Sequence, residues 1–309
     1  MLWVWLVLLY GVLKGCREIC KKKALETCSS IEVLLIYSLV SFALVCPDAP
    51  RAMGLAPKYY FYIAIKSFVI FVAWICGFKA IKRLPISFYG VLDLSRVLFS
   101  TMLGVFVLHE VMSTYNIIGL LLVCVGLLML KFRPDVFLQR IRKTAAAAKQ
   151  MGAEPEGTGQ LKTTGTQENI SLPVVLMALI SCLLNAVSGL MDKILMKDMN
   201  SSQLQFWYML FLCLFYIIYA IIVHEKIDLK KTLKNKWVWI LSIMFVIADR
   251  ALFVANSMEA SQVTVMTLLK QAGCIVTILA GRFVFKEKNT GYKLVCAVVI
   301  IAGIVLSVM

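Results

Sequence analysis

Ten apolar runs of near-equal length succeed one another along the 309-residue chain, at roughly 2–20, 31–47, 59–80, 86–108, 114–131, 173–192, 204–223, 237–258, 263–285 and 291–309. A helix of about 20 apolar residues crosses the ~30 Å hydrocarbon core of a bilayer. In lipid each backbone N–H and C=O needs a partner inside the chain, so continuous apolar runs fold as helices. A transmembrane barrel would need alternating strands instead. Breakers fall between the runs, at Pro47, Pro50, Pro85, Pro134 and the lysine-rich stretch 225–236. The first run is the weakest, because Lys14, Arg17 and Glu18 interrupt its second half. The expected fold is an all-α integral membrane protein with ten transmembrane helices.

Composition agrees. The chain is 61% hydrophobic and 16% charged, against about 45–50% and about 25% in a water-soluble domain. Surface-to-volume scaling leaves no soluble globule of this size able to bury that excess. The formal charge of +15 sits in short segments between apolar runs, where it sets topology and meets anionic headgroups, so nucleic acid is not an expected partner. Most of the ten cysteines, Cys76, Cys124, Cys182, Cys213, Cys274 and Cys296 among them, lie inside apolar runs, no CxxC occurs, and His109 and His224 are far apart. Neither a metal site, a disulfide framework nor a cofactor is expected. The amino terminus lacks a basic n-region and a small-residue cleavage site, and reads as the first span.

Residues 132–172 stand apart. They carry Arg133, Arg140, Arg142, Lys143 and Lys149, an alanine run, and then Glu154-Pro155-Glu156-Gly157-Thr158-Gly159. A surface helix followed by a flexible linker fits this pattern. The segment divides the chain into two five-span halves, 1–131 and 173–309. A shift of 177 residues pairs Gly104 with Gly281, Phe106 with Phe283, Val107 with Val284, Glu110 with Glu287, Tyr115 with Tyr292 and Gly126 with Gly303, without a gap. Five is odd, so a repeated five-span unit enters the membrane from the opposite side and the two halves are inverted. Inverted repeats are an architecture of secondary transporters.

Lysine and arginine counts orient the chain. Arg17, Lys21–Lys23, Lys79, Lys82, Arg83, the 132–172 segment, Lys226, Lys230, Lys231, Lys234, Lys236, Lys286 and Lys288 fall on one side. Arg51, Lys58, Lys193 and Lys197 fall on the other. The bias places 132–172 in the cytoplasm and both termini outside, with the plasma membrane as the expected location.

In span count, length and repeat division the chain resembles the drug/metabolite transporter superfamily, specifically its EamA-type ten-span members. The most specific likeness lies in Gly104–Glu110 and Gly281–Glu287, apolar runs closing on a Glu and followed by a span containing Gly126 or Gly303. Two departures stand out. The family often has Gly before that Glu, where this chain has His109 and Lys286. A proline common in the middle of the fourth and ninth spans is absent, with Ser95 and Ala272 near those places. The resemblance implies two EamA-like repeats and transport of a small metabolite.

Ionisable residues inside spans cost about 2.5–3.5 kcal/mol each at a helix centre and face a cavity or a partner. The deep ones are Lys66, Asp93, Arg96, Asp249, Arg250 and Lys270. Asp93 and Arg96 are helical neighbours at i, i+3, and the repeat register sets Asp93 opposite Lys270. Arg96, Lys270 and Arg250 are the candidate ligands for an anionic group, with Asp93 or Asp249 as counter-charge or proton carrier. Tyr89 and Gln271 are candidate wall residues. A purely structural role, with Asp93–Arg96 and Asp249–Lys270 as packing ion pairs, stays open beside this. Glu110 and Glu287, at span ends, point to helix-end contacts.

These residues favour a secondary transporter of a small metabolite with an anionic or zwitterionic group, working by alternating access. The alternative is a lipid flippase or scramblase acting on a phosphate-bearing headgroup. No HExxH, P-loop or Ser/His/Asp arrangement is present, which disfavours an enzyme and direct ATP coupling. The expected partners are a small-molecule substrate and the lipid bilayer, with a proton or other ion available for coupling. Ten spans enclose a cavity without help, so a monomer suffices.

Overall fold

The computed structural model describes residues 2–25, 27–83, 86–131, 172–223, 228–273, 276 and 290–307. The apolar runs are helices, as backbone satisfaction in lipid requires. The first repeat contains α1 (Leu2–Leu25), α2 (Ser30–Val45), the one-turn α3 (Ala49–Ala52), α4 (Pro57–Arg83), α5 (Ile86–Leu108) and α6 (Thr114–Lys131). The second contains α7 (Leu172–Leu195), α8 (Ser201–Val223), the short α9 (Leu229–Lys234), α10 (Lys236–Asn256), α11 (Val263–Leu269) and α12 (Thr290–Leu306). A 3₁₀ turn, Lys270–Ala272, continues α11. Among the described residues there is no strand. The ninth expected span, 263–285, is described only in its first half, and the 132–172 segment lies outside the described residues up to Leu172.

Local sequence sets the helix ends. Ser29 and Glu32 form a reciprocal capping box that starts α2, satisfying two otherwise orphaned N–H groups. Pro47 and Pro50 sit where α2 gives way to a 3₁₀ turn and then α3, because proline cannot donate the next helical bond. At the end of α5, His109 adopts a left-handed φ of 54°. That turn brings the Glu110 N–H back onto the Gly104 carbonyl at 3.1 Å. The resembled family's glycine before this Glu has a reason here, since φ > 0 costs a residue with a Cβ more than it costs glycine.

Helix neighbours obey a two-fold rule. α1 packs on α10, and its counterpart α7 packs on α4. α4 packs on α8, and α10 on α2. α5 packs on α7, and the α11 segment with its 3₁₀ turn packs on α1. Three pairs map onto themselves when the repeats are exchanged: α2 with α8, α5 with α11, and α6 with α12. Even the short connecting helices comply, α3 lying on α8 and α9 on α2. With five spans per repeat, an exchange of this kind turns one half over relative to the other.

Close approaches rest on glycine. A Cβ on Gly119 would stand 2.6 Å from the Gly303 carbonyl oxygen, and one on Gly303 would stand 2.7 Å from that of Gly119. Small residues of this kind let α6 and α12 meet backbone to backbone. Gly15 on α1 likewise faces the Gly273 carbonyl, 2.5 Å from where a Cβ would sit. The outer surface is apolar, with Trp5, Phe106, Ile221 and Ile222 all more than 60% exposed, as a lipid-facing belt requires. Two large apolar cores form inside, one chiefly on α2, α4, α8 and α10, the other on α1, α6, α11 and α12, beside a small cluster of Ala80, Val174 and Ala178.

Candidate functional site

A cavity of about 230 Å³ lies where the two repeats meet. Eight spans line it, α6 and α12 excepted. The lining follows helical periodicity. On α1 it takes Tyr10, Lys14, Arg17 and Lys21, spaced 4, 3 and 4, which is one face of a helix. On α10 it takes Leu241, Phe245, Asp249, Leu252 and Phe253. The charged part of α1 is therefore helical because its basic side chains point inward rather than into lipid.

Two ion pairs on the cavity wall cross the repeat boundary. Lys66 Nζ on α4 meets Asp192 Oδ1 on α7 at 3.0 Å, and both side chains are under 10% exposed. Arg17 Nη1 on α1 meets Asp249 Oδ1 on α10 at the longer distance of 3.7 Å. These pairs occupy the two helix contacts that the two-fold rule exchanges, with the charges swapped. The first repeat supplies both bases and the second repeat both acids.

Aromatic rings support the cations. Lys66 Nζ stands 3.2 Å from the Tyr208 ring centroid and 5.2 Å from that of Phe253, forming a buried floor to the cavity. The Arg17 guanidinium carbon is 4.8 Å from the Phe245 centroid and 5.9 Å from that of Tyr10. Lys270 Nζ is 5.6 Å from Tyr10. Such contacts hold a desolvated cation at about 2 kcal/mol or more each. Among the described lining residues, six side chains are basic (Lys14, Arg17, Lys21, Lys66, Arg96 and Lys270) and two are acidic, Asp192 and Asp249. Each acid already faces a base.

Beyond the floor, charged side chains tie α7 to the α10–α11 loop, the α5–α6 loop to α11, and α10 to α8 and the turn after α2. Lys193 Nζ donates to the Asn256 and Met258 carbonyls at 3.0 and 2.9 Å and to Ser261 Oγ. The Glu110 carboxylate accepts from the Val263 and Thr264 N–H groups and from the Thr264 hydroxyl. A carboxylate is stabilised there by the positive end of the α11 backbone. Arg250 donates to Gln205 Oε1, to Ser202 Oγ at 2.6 Å and to Asp48.

The chain matches the model of the EamA-like transporter family over residues 1–132 and 172–309. It belongs to that family. As an EamA-like protein it is a membrane transporter of small molecules, built from two repeats. The crystal structure of another protein superposes on this EamA-like chain with a TM-score of 0.71, over 100% of this chain and 97% of the other, at 13% identity. At that identity the likeness is one of fold. No curated protein matches the chain.

Sequence-predicted residues divide clearly in this EamA-like fold. Lys270, Arg96, Asp249 and Gln271 line the cavity together. Arg250 does not: it lies one residue round the helix from Asp249 and reaches α8 and Asp48 instead. Asp249 pairs with Arg17 rather than with Lys270. Asp93 and Tyr89 fall on α5, where their side chains lie outside what is described, and Glu287 lies outside the described residues. Sequence reasoning missed the weight of Lys14, Arg17, Lys66 and Asp192, all on the cavity wall. The 10–14–17–21 polar stripe on the first span was a signal that could have found the first two.

Proposed function

We propose that this EamA-like protein is a secondary transporter of a small metabolite carrying an anionic or zwitterionic group, and that the cavity between the repeats is its substrate site. The observation carrying this reading is the charge of the described wall, six basic side chains against two acidic ones that already face bases. A carboxylate or phosphate brought against these described basic side chains offsets the cost of holding charge away from water. Lys270 and Arg96 are the residues proposed to bind it, with Gln271 available to donate a hydrogen bond. Arg17, which lines the cavity beside Asp249 and pairs with it, would trade that partner for the substrate's anionic group during the cycle. The two-fold exchange of helix contacts supports alternating access, because the same interfaces occur twice in opposite orientation.

The testing experiment is a thermal-stability screen of purified full-length protein against anionic, zwitterionic, neutral and cationic metabolites. A ligand at 100 times its Kd stabilises the folded state by about 2.7 kcal/mol. The reading predicts stabilisation by carboxylates, phosphates or amino acids. Stabilisation confined to neutral or cationic compounds would overturn it.

A further inference from the structure

Resting on that reading of the cavity, we infer that its substrate carries a flat conjugated ring beside its anionic group. The basic cluster is continuous with an aromatic wall. Tyr37, Trp74 and Phe245, from α2, α4 and α10, form a three-ring cluster, with centroid separations of 4.9 Å for Tyr37–Phe245, 5.9 Å for Trp74–Phe245 and 6.0 Å for Tyr37–Trp74. All three line the cavity. Phe245 also carries the Arg17 guanidinium at 4.8 Å, and Arg17 shares Tyr10 with Lys270, at 5.9 and 5.6 Å.

The path Trp74–Phe245–Arg17–Tyr10–Lys270 therefore runs from ring faces to cations in single contacts. An anion held by Arg17 and Lys270 sets whatever is attached to it against Phe245 and Trp74. A saturated chain there gains only its buried area. A conjugated ring gains in addition the edge-to-face or offset contact that aromatic pairs prefer, a difference of about threefold to tenfold in affinity. Trp74 is half-buried, whereas Tyr37 and Phe245 are buried within the core. Trp74 is thus the wall residue with surface left to give, and it is the specificity-determining residue of this proposal.

The test uses matched probes that differ only in ring saturation: benzoate against cyclohexanecarboxylate, phenyl phosphate against cyclohexyl phosphate, and L-phenylalanine against L-cyclohexylalanine. Affinities are measured by ligand-induced thermal stabilisation of the purified full chain. The wild type is expected to prefer the aromatic member of at least one pair by about fivefold, and that pair identifies the charged group. Trp74→Leu, which keeps an apolar side chain, is expected to reduce the preference below about twofold, while Lys270→Ala weakens both members. Equal affinities within every pair, or no binding of any aromatic probe, overturn the inference, and the wild-type comparison alone decides this even if a variant fails to fold. Binding of both members with equal affinity, lost together in Lys270→Ala, leaves the anion site standing and removes the ring.

Discussion

Lys66 and Asp192, 126 positions apart in sequence, meet at 3.0 Å inside the membrane, and the Lys66 ammonium also caps the Tyr208 ring face at 3.2 Å. The pair joins α4 of one repeat to α7 of the other. With the Arg17–Asp249 pair it marks two interfaces that the two-fold rule exchanges, the base of each cavity-wall pair on the first repeat and the acid on the second.

Removing one partner of such a pair leaves a buried, uncompensated charge. Asp192→Asn or Lys66→Met should each destabilise the protein by about 3–5 kcal/mol. The double replacement Lys66→Met with Asp192→Leu should recover most of that, because desolvation of both charges is avoided. Thermal unfolding in detergent measures all three. A double variant no more stable than the worse single one would show that the pair is not the unit assumed here.

The turn after α5 makes a prediction of opposite sign. His109 holds a φ of 54°, which costs a residue with a Cβ about 1–2 kcal/mol. His109→Gly should therefore raise stability by about 1 kcal/mol, and His109→Val should lower it. A His109→Gly variant that melts lower than wild type would mean that the imidazole makes a contact outweighing the strain.

Gly104 and Glu110 should behave as one unit. A Cβ on Gly104 would stand 2.7 Å from Glu110 Oε2, pushing the carboxylate off the α11 amino terminus. Glu110→Ala should cost about 1–2 kcal/mol, the scale of a lost helix cap. Gly104→Ala should imitate it, and the double variant should be little worse than either. Full additivity in a double-mutant cycle would contradict the contact.

The span pattern was legible because lipid enforces it. A described helix covers all or part of each of the ten predicted runs, five of them long and apolar enough within the described residues to cross a bilayer, and even the charged half of the first run is helical. The odd number of spans per repeat foretold a fold whose halves are inverted. Side-chain direction was less legible. Asp249 and Arg250 are adjacent, so they differ by about 100° round the helix, and the decision between them needed the phase set by Leu241, Phe245 and Leu252. Lys66 read only as one of the deep ionisable residues. Its partner Asp192 lies in the other repeat, and no local pattern brings those two residues together. The Glu110 contact was expected at a helix end, but its donors, the N–H groups of the first turn of α11, come only from the tertiary fold.

Exchange of a labelled organic anion across proteoliposomes tests the central claim most directly, with wild type, Lys270→Ala and Arg250→Ala compared at equal amounts of inserted protein. Loss of one charged contact to substrate, about 1.4 kcal/mol or more, slows exchange at least about tenfold. The account predicts that loss for Lys270→Ala, on the cavity wall, and near wild-type exchange for Arg250→Ala, whose partners lie outside the cavity. Undiminished exchange by Lys270→Ala, with Arg250→Ala impaired, would contradict it.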